Sequence, residues 1–376
     1  MPLQKPKGME TEFNFTFGSY LSHVLICEEL PAINKITDST ALIVCDANTE
    51  SIAREVTRGV ENPILVLESG EKSKNWDSVQ KIISFGMENG LGRDSFFVGV
   101  GGGVLSDLTA FSASLYKRGA NLCIVSTSLL GIIDASFGGK TGINLIDTKN
   151  AVGTFYPAKK VFLPIAALDS LPEVEWKSGF AELIKTAILD SNEFLDLIKE
   201  LFRLQKKGRN SPDYRECLKK CISMAVEYKG KIVENDPRET LNKRVILNLG
   251  HTFAHALEAA AGFGAISHGE AVAWGMVRAC ELGVFLGITP LPRAKEIAGL
   301  LSDCGYEIRA PFPTISSCDK LIKAIMADKK HTIGGLRFII PRAEGAQIVS
   351  AENTPLLGDG EIENFLRSIL NGNYSF

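Results

Sequence analysis

The amino-acid sequence predicts an α/β N-terminal domain, with a doubly wound and mostly parallel sheet, joined to a mostly α-helical C-terminal domain. Three observations carry that expectation. Through the first half, short runs rich in Val, Ile and Phe alternate with amphipathic helical patterns, and strand–helix–strand alternation implies a parallel sheet covered on both faces. One run, "VGVGGGVLSD" at 98–107, ends in three glycines and leads into a helical pattern. Past about residue 172 the patterns become long and helical, with few strand signals between them.

Taken in order, the opening run "TEFNFTFGSYLSHVLICEEL" alternates in character and is expected to add strands at one edge of the sheet. "ALIVCD" (41–46), "PILVLES" (63–69), "FFVGVGGG" (96–103) and "LCIVST" (122–127) read as strands. "TESIAREVTRGV" and "KNWDSVQKIISFGMENG" read as helices between them, the second with Trp76, Val79, Ile82 and Ile83 near helical period. The segment "DASFGGKTGINLIDTKN" (134–150) is punctuated by glycine and shows neither a helical nor a strand period. In the second half, "LPEVEWKSGFAELIKTAILDSNEFLDLIKELF", "ECLKKCISMAVEYKGKIV", "GHTFAHALEAAAG" and "GEAVAWGMVRACELGVFLG" are helical patterns. The exception is "LRFIIPRAEGAQIVS" (336–350), two apolar runs around a turn and therefore a hairpin. The expected domains are residues 1–172 and 173–376, and a cleft between two such domains is a usual place for a site.

With 376 residues, 45% of them hydrophobic, the chain has material for two cores. Its net charge of -3, with the signs mixed, gives no reason to expect nucleic acid or a membrane surface as partner. No apolar run reaches the roughly 18 residues of a membrane span. The opening "MPLQKPKGMETEFNF" lacks the apolar core of a secretory signal. The eight cysteines include no CxxC pair, and Cys217 and Cys221, one helical turn apart, read as core packing. A reduced, cytoplasmic, soluble protein is expected.

Glycines ending a parallel strand let the backbone approach a ligand closely, and the helix N-terminus behind them favours an anion such as a pyrophosphate. Gly101, Gly102 and Gly103 meet that description, although their spacing is not GxGxxG. Asp46 and Asn48 follow the first of the quoted strands, and Glu71 and Lys74 the second, so polar groups gather beyond successive carboxyl ends. Lys140, Lys149 and Asn150, with Arg118 upstream, suit a phosphate or carboxylate. Glu182 and Lys185 share a helical face in "GFAELIKT", either as an ordinary ion pair or with the carboxylate aimed into the cleft. The chain has only five histidines, and three of them are His251, His255 and His268. His251 and His255 lie one helical turn apart, His268 opens the next helix, and catalytic zinc takes three protein ligands. Spacing leaves two ligand sets open: the three histidines, or His251 and His268 with Glu182.

With these motifs in place, the chain resembles the 3-dehydroquinate synthase family of sugar-phosphate cyclases. The resemblance runs from roughly residue 40 to 341 through "GEKSKN", "GGGVLSD", "GGKTGIN", "AELIKT", "RVILNLGHTFAHALEA", "HGEAVAWGM" and "DKKHTIGGLRF". It implies a nucleotide-binding sheet, NAD and one divalent metal (zinc or cobalt), and a homodimer acting on a small sugar phosphate, 3-deoxy-D-arabino-heptulosonate 7-phosphate, in the shikimate pathway. It also implies Glu182, His251 and His268 as metal ligands, leaving His255 as an acid/base group against the substrate. Asp134, Lys140, Asn150, Lys185, Lys229, Arg244, Asn248 and one of Lys329 or Lys330 match substrate-binding positions, and Arg118 a position that reaches the phosphate. Asp46, Asn48, Glu71, Lys74, Gly101, Gly102, Gly103, Asp107, Thr127, Ser128, Lys149 and Ser170 match nucleotide-binding positions. The chain departs from the family pattern at Ser106, at Ser126 and Ser128, at Thr148, and in an "ETLNKR" segment one residue longer before Arg244.

The implied reaction oxidises the carbon-5 hydroxyl, eliminates phosphate, returns the hydride, opens the ring and closes a carbocycle by an internal aldol step. Two other enzyme readings compete with it. A 2-epi-5-epi-valiolone or 2-deoxy-scyllo-inosose synthase would act on a substrate without the carboxylate. A metal-dependent polyol dehydrogenase would have no need of so many basic residues. The intact set of Glu182, His251, His268, Lys140 and Arg244 argues against a third reading, an inactive relative serving as a binding module.

Overall fold

A computed structural model describes residues 10–146, 148–262, 264–313, 315, 318–331, 336–350 and 359–372, with the side chains of 327–331 and 359–361 excepted. Two compact units result, Met1–Trp176 with Val226–Thr240, and Lys177–Ala225 with Leu241–Phe376. Among the described residues no helix is long and apolar enough to cross a membrane.

The first unit contains β1 (Thr11–Phe17), β2 (Tyr20–Cys27), α1 (Ile33–Ile36), β3 (Ala41–Asp46), α2 (Glu50–Val56) and β4 (Ile64–Leu67). It continues with α3 (Trp76–Glu88), β5 (Phe96–Gly101), α4 (Gly103–Leu115), β6 (Asn121–Ser126), β7 (Ile143–Leu145), β8 (Thr148–Val152) and β9 (Lys160–Pro164). Seven strands form one sheet in the order β1-β2-β9-β6-β5-β3-β4. It is parallel except for the edge hairpin β1–β2, where the alternating opening run places it. The central strands are buried nearly end to end because both faces are covered, so they read as continuous apolar runs. On one face Ile43, Val98, Val100 and Val125 pack with Ile36, Ala53 and Val56.

Among the strands of the first unit, two features escape the sequence patterns. β9, "KVFLP", is a sheet strand too short to announce itself. The 134–150 segment holds β7 and most of β8, an antiparallel hairpin whose register shifts between Ile143 and Leu145. Its strands are short and Thr148 to Asn150 are exposed, so no apolar period could develop.

From β3 the chain moves outward to β4, then returns to the other side of β3 with β5. The sheet therefore has its switch point between β3 and β5, where open α/β sheets bind ligands beyond the carboxyl ends. Asp46 and the Gly101–Gly103 turn stand at those two ends.

The helices and hairpin that follow are α5 (Glu173–Asp190), α6 (Asn192–Gln205), α7 (Pro212–Asn235), α8 (His251–Ala261), α9 (His268–Phe285), α10 (Leu291–Asp303), α11 (Cys318–His331), β10 (Arg337–Pro341), β11 (Ala346–Ser350) and α12 (Asp359–Leu370). The last turns of α7 belong with the first unit. A Cβ on Gly230 would lie 2.0 Å from the Phe15 ring, and Glu234 Oε1 accepts from the Thr16 N–H at 2.7 Å. In the second unit α9 is buried on nearly all sides, as a central core helix must be, with Trp274 fully enclosed and its Nε1 donating to the Arg309 carbonyl at 2.8 Å. The expected hairpin at 336–350 is β10–β11, and Phe338 packs on Phe253 of α8.

Candidate active site

Three helices of the second unit converge on one carboxylate. α5 carries Glu182 and Lys185 on its buried face, and α8 and α9 begin at His251 and His268. Backbone approaches that only glycine allows hold these helix ends together. Gly250, with φ 78°, precedes α8, and a Cβ there would lie 2.8 Å from the Met276 amide nitrogen of α9. At Gly269 of α9 a Cβ would lie 2.4 Å from Ser178 Cα of α5, and the Gly269 N–H donates to Ser178 Oγ at 3.2 Å. Ser267 caps α9, accepting from the Glu270 N–H at 3.3 Å. Gly269→Ala is therefore expected to destabilise the protein by about 1–3 kcal/mol, since backbone must yield. The readout is the midpoint of urea unfolding, and an unchanged midpoint would show that α5 and α9 tolerate a wider approach.

His251 Nε2 lies 3.6 Å and His268 Nε2 3.4 Å from Glu182 Oε1. The other ring nitrogens have acceptors. His251 Nδ1 is 3.2 Å from the Leu249 carbonyl, and His268 Nδ1 is 3.4 Å from Glu258 Oε1. That leaves Nε2 of each ring for the shared point beside Glu182. Lys185 Nζ pairs with the second oxygen, Glu182 Oε2. Among the described residues, Glu182, His251 and His268 form the one group of three whose ligand atoms lie within 4.8 Å of one another. Ligands about 2.0–2.1 Å from a tetrahedral zinc stand about 3.4 Å apart, close to the separations here. Glu182 Oε1, which faces both Nε2 atoms, is buried without a hydrogen bond of good geometry, and that is the deficit a cation would fill.

The charges agree with this. Burial would raise the Glu182 carboxyl, yet Lys185 and the two imidazoles hold it well below the usual carboxylate range. Burial and Lys185 push His251 down to about 3. Burial also disfavours a charged His268, but the Glu182 and Glu258 carboxylates on either side hold it up to about 9. A divalent cation binding here would displace a proton from this cluster. Of the two ligand sets that spacing leaves open, the fold gathers the one with Glu182. His255 is exposed, its ring edge-on to His251 with centroids 5.4 Å apart. Glu258 also belongs to the site, although no motif of the sequence marks it. Its one signal is that it lies seven residues after His251, on the same face of α8.

The first unit gathers a second set at the switch point. Asp46 Oδ1 accepts from the Asn48 and Thr49 N–H groups, each at 3.0 Å, and Thr49 Oγ1 donates to the Val100 carbonyl at 3.0 Å, tying the ends of β3 and β5. Gly102 caps α4, the Thr127 N–H donates to the Gly101 carbonyl at 3.0 Å, and Ser128 Oγ accepts from the Gly131 N–H at 3.1 Å. Lys74 is buried, pairs with Asp107 Oδ2 at 2.5 Å and donates to Asn150 Oδ1 at 2.5 Å. Burial raises the Asp107 carboxyl despite that neighbour. Lys149 and Ser170 are exposed, in β8 and at the end of the Ile165–Ser170 turn.

Of the residues matched to substrate positions, Lys229 pairs with Asp134 Oδ1 at 2.6 Å and lies 4.7 Å over the Phe137 ring. Lys140 pairs with Glu239 at 2.5 Å. Exposed Arg118 has φ 67°, next to Lys117 at φ 47°. These, with Asn150, belong to the first unit. Lys185, buried Arg244, exposed Asn248 and His255 belong to the second. The Lys329 and Lys330 side chains lie outside the described residues.

A doubly wound sheet with a glycine turn at its switch point, followed by helices bearing such a triad, is the fold of the sugar-phosphate cyclases. The solved 2-epi-5-epi-valiolone synthase from Streptomyces hygroscopicus subsp. jinggangensis 5008, with NAD+ and Zn2+ bound, superposes with a TM-score of 0.79 at 25% identity, covering 92% of this chain and 96% of that one. A 2-deoxy-scyllo-inosose synthase complexed with carbaglucose-6-phosphate, NAD+ and Co2+ gives a TM-score of 0.76 at 21% identity, covering 95% of this chain and all of that one (100%), and shows the same fold. The chain itself belongs to the 3-dehydroquinate synthase family. The family's N-terminal model matches residues 64–178 and its C-terminal model 179–331. The 3-dehydroquinate synthase of Buchnera aphidicola subsp. Cinara cedri (strain Cc) is 41% identical over 298 residues, 78% of each chain.

Proposed function

We propose that this protein is a 3-dehydroquinate synthase, a phosphorus–oxygen lyase that converts 3-deoxy-D-arabino-heptulosonate 7-phosphate to 3-dehydroquinate and phosphate, and that it needs NAD and one divalent metal, zinc or cobalt. The observation that carries the reading is the convergence of Glu182 Oε1 with His251 Nε2 and His268 Nε2, in a chain of this family. When bound, NAD and the ion would supply a reversible oxidation of the carbon-5 hydroxyl, with its oxygen polarised.

The chain's own residues do the rest. Glu182, His251 and His268 hold the ion, and Lys185 neutralises the other Glu182 oxygen, Oε2. Glu258 and the Leu249 carbonyl fix the two rings at Nδ1. Asp46, Asn48, Glu71, Lys74, the Gly101–Gly103 turn, Asp107, Thr127, Ser128, Lys149 and Ser170 bind and orient the nucleotide. Arg118, Asp134, Lys140, Asn150, Lys229, Arg244, Asn248 and a lysine from Lys329 or Lys330 engage a substrate that is anionic at both ends. His255, exposed beside His251, accepts and returns a proton on the substrate. In this reading residues 1–172 bind NAD and residues 173–376 bind metal and substrate. The protein works in the cytoplasm as a homodimer.

The test is incubation with the heptulosonate phosphate, zinc and NAD well below the substrate concentration. Phosphate and dehydroquinate are expected in equal amounts, over many turnovers per NAD, because the hydride returns to the carbon it left. NADH absorbance growing one for one with product would replace this reading with a polyol dehydrogenase.

A further inference from the structure

Asn144, in β7, lies at the centre of a closed hydrogen-bond ring that no part of the proposed chemistry has yet used. Its N–H donates to the Lys74 carbonyl at 2.8 Å. Its Nδ2 donates to Glu71 Oε1 at 2.8 Å, and its Oδ1 accepts from the Asn150 N–H at 2.9 Å. Lys74 Nζ closes the ring on Asn150 Oδ1 at 2.5 Å. Three segments are joined in this way: the Glu71–Ser73 turn with Lys74, β7 and β8. Asn150 has φ 53°, a left-handed conformation that asparagine tolerates better than most non-glycine residues.

A side-chain amide is the group that donates and accepts at once from one short stem. Either partner alone would leave a choice of residue. A carboxylate at this place would still accept from Asn150 but would set a second negative oxygen against Glu71. A flipped amide would fail on both sides, so the two partners assign its orientation.

We propose that Asn144 is a positioning residue that couples the nucleotide site to the substrate site, holding Glu71 and Lys74 in place for NAD and Asn150 for the sugar phosphate. The inference rests on the functional reading above. Asn144 touches neither ligand and acts through residues that do.

The test measures NAD affinity of the metal-loaded protein by titration calorimetry, beside amide exchange of the 144–152 segment without ligand. Binding of NAD by the unaltered protein tests the functional reading, and differences among variants test this inference. Asn144→Ala is expected to weaken NAD by about tenfold and to speed exchange across the hairpin. Asn144→Asp should weaken NAD further, by about thirtyfold, through repulsion of Glu71. Adding Glu71→Gln to Asn144→Asp reverses donor and acceptor, and should bring affinity back to within about threefold of Glu71→Gln alone. A generally unfolded hairpin would not show that recovery. If Asn144→Asp binds NAD like the unaltered protein, or weakens NAD binding as much in the Glu71→Gln background as in the unaltered one, Asn144 has no positioning role.

Discussion

Glu182→Ala is expected to leave the protein without bound zinc and to lower kcat/KM by about a thousandfold or more. A Lewis acid supplies several kcal/mol of transition-state stabilisation, and each ~1.4 kcal/mol is a factor of ten. The loss has a second cause. Without the carboxylate, buried Lys185 loses its partner and the negative charge facing the two imidazoles is gone, so less draws a cation in. His251→Ala and His268→Ala should empty the site as well. His255→Ala should keep its metal yet turn over about a hundredfold or more slowly, as loss of an acid/base group does. Glu258→Gln should bind zinc about ten- to a hundredfold more weakly, because the ring orientation of His268 is then less firmly held. Elemental analysis of the purified variants decides between the two ligand sets. Zinc lost with His255→Ala and retained with Glu182→Ala would restore the three-histidine set and remove the basis of the proposed site.

That choice shows what a linear reading can and cannot see. The central strands are legible because burial on both faces turns each into an unbroken apolar run, and "ALIVCD" and "FFVGVGGG" need no tertiary knowledge. The scarcity of histidine makes His251, His255 and His268 conspicuous. Which of them join a metal site depends on α5 arriving beside α8 and α9, an approach set by Gly269 against Ser178, residues far apart in the chain. Spacing leaves Glu182 in one of two open ligand sets, and the family resemblance chooses that set. The same limit hides Glu258 and Asn144, whose roles are those of hydrogen-bond partners to groups on other turns and strands. It also hides the return of α7 to the first unit, since nothing near Gly230 in sequence reveals that Phe15 needs its missing side chain. The β7–β8 hairpin is unreadable for another reason. Ile143 is its one buried apolar strand residue and β8 is largely exposed, so it has no apolar pattern to display, and polar contacts tie it to Lys74 and Glu71.

Arg244→Ala is expected to lower kcat/KM for the heptulosonate phosphate by about ten- to a few hundredfold. A charge-assisted bond to an anion contributes roughly 1.5–3 kcal/mol, and its removal leaves the anion poorly paired. Arg244 is buried, on the turn Arg244–Asn248 that leads into the helix of His251. A shielded cation is worth more to a carboxylate or phosphate than one in open water, where screening would reduce its effect. Arg244→Lys should recover only part of the loss, because an ammonium cannot make the planar two-pronged contact. The zinc content of both variants should stay at the level of the unaltered protein, which separates a substrate-binding role from damage to the triad. The same reasoning sets the specificity. Sedoheptulose 7-phosphate, which has no carboxylate, should be a very poor substrate, since the groups arranged for that anion would be left unpaired. If both sugars turn over comparably and Arg244→Ala harms neither, the substrate is that of a cyclitol synthase and the carboxylate plays no part in recognition.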